Sequence, residues 1–411
     1  MDFTQFFEPS SEQEWKDKIL KDLKGGSLED LVWQSEIGPV DPVLFNYEKK
    51  FGRIVPKPDQ EDNSWEIAAS FDCTHPTQAN KAILEALMGG VNHIRLYNCT
   101  ADSLGTVLKD VMLDIISTTV FGAIETSQEE VLVTNSPLSA TLKTGNQVTL
   151  TGDHFTVNGS YLADLGVNLD HQLGMMIGMG HDYLIHLMEQ GVSAEEAAGN
   201  IHFEVGIGNS YFAEIAKIGA LRLLWNTLLT EYGVEDGYAV IHARTSNFNY
   251  SNLDIHNNQL RATTAAMAAS ISGVESIEVL PYDLNLSEKF SDGSRLAKNV
   301  QLLLQEESYF NQVKDAAAGS YYIEQLTDIL IEKGWAFFQE IDKAGSFQET
   351  MKNGMISQTI QSDIEAKKKN FAESQIKLVG VNFQPNAADT RTEEAPDSNV
   401  MNANRLAQFN V

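Results

Sequence analysis

Cysteine is almost missing from this chain: Cys73 and Cys99 are the only two among 411 residues. Two thiols cannot build a disulfide framework or a Cys-rich zinc site. Positive charge is also scarce. Lys and Arg number 29 against 57 Asp and Glu, a net charge of −28 with His neutral. Such a surface repels phosphate backbones and anionic lipids, which argues against nucleic acid and membrane surfaces as partners. No run approaches the about 18–20 unbroken apolar residues of a membrane span. Met1-Asp2-Phe3-Thr4 lacks the basic and apolar regions of a secretory signal. The expectation is a soluble, cytoplasmic chain. A hydrophobic content of 43%, with 29 Gly and 10 Pro, fits an ordered globular protein.

Several chemistries lack their motifs. His154, His171, His181, His186, His202 and His242 form neither a His-x-x-x-His nor a His-Glu-x-x-His pattern, so no metal site is expected. No Gly-x-Gly-x-x-Gly stands between a strand and a helix, and there is no phosphate loop or Gly-x-Ser-x-Gly elbow. The glycines of Gly174–Gly180 fall in a Met-rich helical run, where close packing explains them.

What is present is a regular alternation. Residues 1–40 read as an arm: Ser11 and Glu14 form a capping box, Trp15, Ile19, Leu20 and Leu23 recur at helical spacing, and Gly25-Gly26 ends the helix. One amphipathic helix must bury its stripe on something, either its own barrel or a partner. Strand-like runs follow at Glu66–Phe71, His93–Tyr97, Ile115–Phe121, Val131–Asn135, Phe155–Asn158, Ile201–Ile207, Ala239–Thr245 and Ser276–Leu280. Helical patterns lie between most of them, as at Gln78–Met88, Ser103–Met112 and Tyr211–Tyr232. Eight such runs predict an α/β fold, a (β/α)8 TIM barrel over residues 41–310. The segment Pro137–Thr151 reads as a hairpin rather than a crossover helix. Beyond it, residues 311–384 form a helical extension, with long helices at Tyr321–Lys343 and Phe347–Lys369, and 385–411 a flexible tail.

Several strand ends are polar: Ser70, Asp72, Thr74 and His75; Tyr97, Asn98, Cys99 and Thr100; Asn158–Tyr161; Gly208–Ser210; His242–Ser246. The C-terminal strand ends of a barrel form its active face, so these residues outline either a pocket or ordinary loop polarity.

At these positions the sequence resembles the methylmalonyl-CoA mutase family. The matching runs are Lys21–Gly25 with Leu31-Val32-Trp33, His242–Ser246, Asp254 with Asn257-Asn258, and Arg261–Thr264. Gln305–Ser308, Gly319–Thr327 and Leu378–Asn382 complete the series, in family order over nearly the whole chain. The resemblance implies a barrel that threads the pantetheine of an acyl-CoA. In the family, adenosylcobalamin supplies radicals that interconvert (R)-methylmalonyl-CoA and succinyl-CoA. Some members pair the catalytic chain with a smaller homologue that does no chemistry.

This chain resembles the smaller homologue. The family's catalytic tyrosine closes a Trp-x-Ile-Arg-Gln-Tyr run; here that run is Trp65–Ser70, with Ser70 in the tyrosine's place. Its catalytic histidine falls in Gly159–Gly166, where Tyr161 stands. The segment of the carboxylate-binding arginine lies in 131–154 without an evident match. His242, Arg244 and Ser246 retain a later His-x-x-Thr-Ser pattern and are the candidates for vestigial substrate binding. Asp254-Ile255-His256 lacks the Gly of the pattern that offers a histidine to cobalt, since Gln259 stands there; Asp254 reads as a helix cap. The resemblance therefore implies a non-catalytic small subunit beside a large catalytic subunit, with no cobalamin domain in these residues and no cofactor of its own. The alternatives are an active acyl-CoA mutase barrel whose cobalamin domain sits on another chain, and a stand-alone acyl-CoA-binding barrel.

Overall fold

The computed structural model describes residues 11–389, apart from 36, 41–61, 125, 127, 146–148 and 288–289. Residues 1–10 of the arm and 390–411 of the expected flexible tail thus lie outside the described residues. The arm opens with α1 (Glu12–Asp22), whose Ser11–Glu14 capping box forms as the sequence predicts. No residue of α1 is buried. A short antiparallel ribbon follows, β1 (Trp33–Ser35) on β2 (Gly38–Val40).

Eight parallel strands then alternate with helices. The first half runs β3 (Glu66–Asp72), α2 (Pro76–Met88), β4 (His93–Tyr97), α3 (Ala101–Val107), β5 (Ser117–Phe121), β6 (Val131–Thr134) and α4 (Pro137–Thr144). The second runs β7 (Phe155–Asn158), α5 (Ser160–Asp164), α6 (Leu169–Glu189), α7 (Ala194–Gly199), β8 (Ile201–Ile207), α8 (Tyr211–Glu231), β9 (Val240–Thr245), α9 (Asn257–Ile271) and β10 (Ser276–Glu278). Hydrogen bonding orders the strands β6-β5-β4-β3-β10-β9-β8-β7. A parallel bridge between Asn135 and Phe155 brings the two outer strands together. This is the (β/α)8 barrel that the alternation predicts.

Three readings are corrected. Residues 137–144 are helical, not part of a hairpin: Pro137 occupies the first turn, where a missing N–H costs nothing, and Gly145 takes the left-handed C-cap (φ 71°). The helix expected over Phe347–Lys369 is two, α12 (Phe347–Lys352) and α13 (Met355–Ala372), broken where Gly354 adopts φ 86°. Asp254 does not cap α9. It sits two residues before the cap at φ 46°, and its carboxylate accepts from Asn257 Nδ2 at 2.6 Å.

The barrel's apolar core lies outside its ring of strands. Ile67, Ile94, Leu96, Val120 and Val131 face α2 and α3. Val157, Phe203, Val205, Ile241, Ala243 and Ile277 face α6, α8 and α9. After α10 (Gly293–Leu302), α11 (Tyr321–Lys343) lies across α6 and α8 and adds Leu326, Leu330, Phe337, Phe338 and Ile341 to the same core. The glycines of α6 make that approach possible. A Cβ on Gly174 would meet Phe337 Cδ1 at 2.7 Å and Gly334 O at 3.0 Å; on Gly180 it would meet Trp225 at 2.9 Å.

Candidate functional site

Strand alternation sends every second side chain into the barrel. Ile94 and Leu96 of β4 point outward, so His93, Arg95 and Tyr97 point to the axis. The same parity turns Ser70, Thr119, Phe121, His202, Glu204, His242, Arg244, Ser276 and Glu278 inward. A barrel interior of this kind is ordinarily filled by branched aliphatic side chains. Here it is filled by polar and charged ones, in two layers.

The lower layer holds three imidazoles. The His93 and His242 rings meet edge to face at 5.3 Å, and His202 lies 5.6 Å from His242. His242 Nδ1 is 2.7 Å from Ser276 Oγ, and His93 Nε2 is 3.0 Å from Thr119 Oγ1. Burial, then the neighbouring His93, Arg95 and His202, hold the His242 imidazole well below its ordinary pKa. Burial with His154 and His93 takes His202 down to about 4. His202 and His242 are therefore neutral at pH 7, while His93 Nδ1 lies 3.0 Å from the Glu66 carboxylate.

The upper layer is an ion-pair network. Arg95 of β4 pairs with Glu204 of β8 and lies 3.6 Å from Glu278 of β10. Strands β4 and β8 stand opposite each other in the ring, so this pair crosses the axis. Arg244 pairs with Asp164 of α5, donates to Ser160 Oγ at 3.1 Å, and reaches Glu204 at 3.7 Å. Ser160 Oγ donates to Glu204 as well. Arg95, Glu204 and Glu278 are all buried. Burial alone would raise the Glu204 pKa, but the Arg95 and Arg244 guanidiniums and the Ser160 hydroxyl hold it at about 2. Phe121 stacks on Tyr97 at 4.4 Å, with the Arg95 guanidinium 4.8 Å from its ring centroid.

The predicted positions join this network or sit beside it. Ser70 donates its N–H and its hydroxyl to Glu278, at 2.9 and 2.8 Å. Ser246 Oγ donates to Asp164 at 2.8 Å, which places Arg244 and Ser246 on one carboxylate. Tyr161 stands on α5 at the mouth, its N–H on Asn158 Oδ1 at 3.1 Å and the Lys143 ammonium 5.1 Å from its ring centroid. Burial, then Asp164, raises the Tyr161 phenol further above its already high pKa. His242 is not with them: it belongs to the lower layer, two residues before Arg244 along β9. Ser246 also borders a cavity of about 250 Å³ beside the mouth, with Gly208, Glu214, Lys367 and Lys377 on its other walls.

Arg95, Asp164, Glu204 and Glu278, which hold the centre together, were not singled out from the sequence. The signal was the polar–apolar alternation of His93–Tyr97 and Ile201–Ile207. It marks a polar interior, but not which charges meet.

Among the described residues no three His, Cys, Asp or Glu side chains are grouped to hold a metal ion. No helix of the described residues is long and apolar enough to cross a membrane. His256, the one histidine near a cobalt-binding pattern, precedes α9 and stacks on Tyr282 at 5.5 Å.

The family model for methylmalonyl-CoA mutase matches residues 105–410. A methylmalonyl-CoA mutase small subunit from Porphyromonas gingivalis is 30% identical over 436 aligned positions, covering 92% of this chain and 70% of that one. The small subunit from Streptomyces virginiae is 27% identical, with 81% of this chain and 60% of that chain covered. The Escherichia coli methylmalonyl-CoA mutase is 28% identical over 60% of this chain and only 35% of its own length.

Proposed function

From the premise that this chain belongs to the methylmalonyl-CoA mutase family, we propose that it is the small, non-catalytic subunit of a heterodimeric, adenosylcobalamin-dependent mutase. Its large partner interconverts (R)-methylmalonyl-CoA and succinyl-CoA, and the pair works in the cytoplasm. The observation that carries this reading is the Arg95–Glu204 pair lying across the barrel axis. An acyl-CoA threaded along that axis would have to break a buried ion pair and strand both charges in a low-dielectric interior.

The residues at the mouth do not fit the family's chemistry either. A tyrosine with its pKa raised above 10 cannot do the work of a near-neutral imidazole, and Tyr161 stands in the histidine's place. The Ser70 hydroxyl is spent on Glu278 rather than aimed at a substrate. Arg244 and Ser246 are both bound to Asp164 and are vestigial. Chemistry with adenosylcobalamin then falls to the large partner. Its role is to hold a partner. Consistent with that role, α1 buries none of its residues, and Trp33 and Phe212, each about half exposed, flank Tyr322 in an aromatic cluster. Aromatic side chains of this kind anchor protein interfaces.

The test is turnover. The purified chain with adenosylcobalamin and methylmalonyl-CoA should form no succinyl-CoA. Measurable product from this chain alone would favour an active barrel instead.

A further inference from the structure

The chain's only two cysteines, 26 positions apart in sequence, stand at neighbouring strand ends on the rim of the barrel. Strands β3 and β4 pair in parallel with Asp72 opposite Tyr97. Cys73 follows Asp72, and its N–H donates to Tyr97 O at 2.8 Å. Asn98 then takes a left-handed conformation (φ 58°), which turns the chain at the end of β4 just before Cys99. The two thiols are free; Cys73 Sγ donates to Phe71 O at 3.8 Å, and Cys99 packs against the same apolar cluster that holds Cys73. The pairing carried one step further sets Cys73 beside Asn98, one position from Cys99, within the range of neighbouring strand ends where disulfides span Cα separations of about 4.4–6.8 Å.

We propose that Cys73 and Cys99 are a modification site: a hydroperoxide converts them to a reversible intrachain disulfide. The two thiols differ in the way such chemistry requires. Cys99 is partly exposed, whereas Cys73 is 2% exposed. The Cys73 thiol lowers the Cys99 pKa, and the Cys99 sulfur, then burial, raises that of Cys73. Cys99 is thus the attacking thiol and Cys73 the resolving one.

In the first step the Cys99 thiolate attacks the terminal oxygen of the hydroperoxide. The O–O bond breaks, Cys99 becomes a sulfenic acid, and the alkoxide takes up the thiol proton to leave as an alcohol. In the second, the Cys73 sulfur attacks the Cys99 sulfur. The S–O bond breaks, and hydroxide leaves as water with the Cys73 proton. Two thiols lose two electrons and the hydroperoxide gains them. The bridge would clasp the ends of β3 and β4 beside Ser70. This inference is independent of the subunit reading.

The test uses the native full chain, treated with hydrogen peroxide, then alkylated in denaturant and weighed. Both thiols should escape alkylation together, the mass should fall by about 2 Da, and dithiothreitol should restore both. In Cys73→Ser, Cys99 should instead gain oxygen and be trapped by dimedone. In Cys99→Ser, Cys73 should stay alkylatable at the same dose. Oxygen on wild-type Cys99 with Cys73 still alkylatable would overturn the proposal, as would bridges formed only between chains.

Discussion

At the scale of the residue, the informative group is Arg95. It is buried, its carboxylate partners lie on strands β8 and β10, and its charge is the counterpart of two others. Removing one member of a buried ion network costs more than the network contributes, because the remaining charges stay in the interior without their main counter-charge. Arg95→Met should therefore destabilise the chain by about 3–5 kcal/mol in urea unfolding. A loss under about 1 kcal/mol would mean that Glu204 and Glu278 are solvated, and the axis open.

The imidazole layer gives a pH dependence whose sign follows from linkage. The folded pKa of His202 lies at about 4, below its ordinary 6.5, and that of His242 is also depressed. The unfolded chain then binds more protons between those values, so stability is full above about pH 6.5 and is lost as pH falls towards 4. His202 alone contributes on the order of 2–3 kcal/mol to this loss. Thermal melting should drop between pH 7.5 and 5, and His202→Gln should flatten the dependence. An unchanged slope in the variant would place the acid sensitivity elsewhere.

At the scale of the element, close packing separates one helix glycine from another. Gly174→Ala would drive a methyl into Phe337 and the Gly334 carbonyl, where backbone must move, so α6 and α11 would separate. The expected cost is about 1–3 kcal/mol, against the about 1 kcal/mol that Ala gains in helix propensity. In α3, a Cβ on Gly105 would meet nothing within 4 Å, and Gly105→Ala should stabilise by about 0.5–1 kcal/mol. Chemical denaturation of the two variants should give opposite signs. Equal effects would show that propensity, not helix approach, governs Gly174.

Most elements were legible in the sequence because their periodicity is clean: β4, β7 and β8 begin and end where the alternation does. Residues 137–144 resemble a hairpin because their Thr favours strands and their Ser favours turns, while the deciding signals, Pro137 and Gly145, sit at the ends. The site was legible only in part. Arg244 and Ser246 could be singled out within one motif, but their partner Asp164 lies some 80 residues away. The Arg95–Glu204 pair joins opposite strands, so it follows from ring closure and register rather than from any local pattern. Whether His242 belongs to the upper or lower layer likewise depends on strand stagger.

At the scale of the whole molecule, the proposed reading assigns the N-terminal helix to pairing, while the ribbon after it packs Ile37 and Val40 into the chain's own core. Helix α1 buries none of its stripe fully, with Trp15, Ile19 and Leu23 half-buried and Leu20 exposed, while the barrel carries its own extensive core. Each large apolar side chain moved from water to an interface contributes roughly 1.5–3 kcal/mol. Deleting residues 1–30 should thus weaken pairing with the large subunit far more than it lowers the melting temperature of the isolated chain. A truncated chain that melts much lower yet pairs with undiminished affinity would place the arm on its own barrel.

On the proposed reading, one barrel of the pair is closed to substrate. Equilibrium titration of a CoA thioester into the assembled heterodimer tests it most directly, because stoichiometry counts open barrels. One site per pair is the predicted result, with no binding by this chain alone. Two equivalent sites per pair would mean that the Arg95–Glu204 crossing does not close the axis.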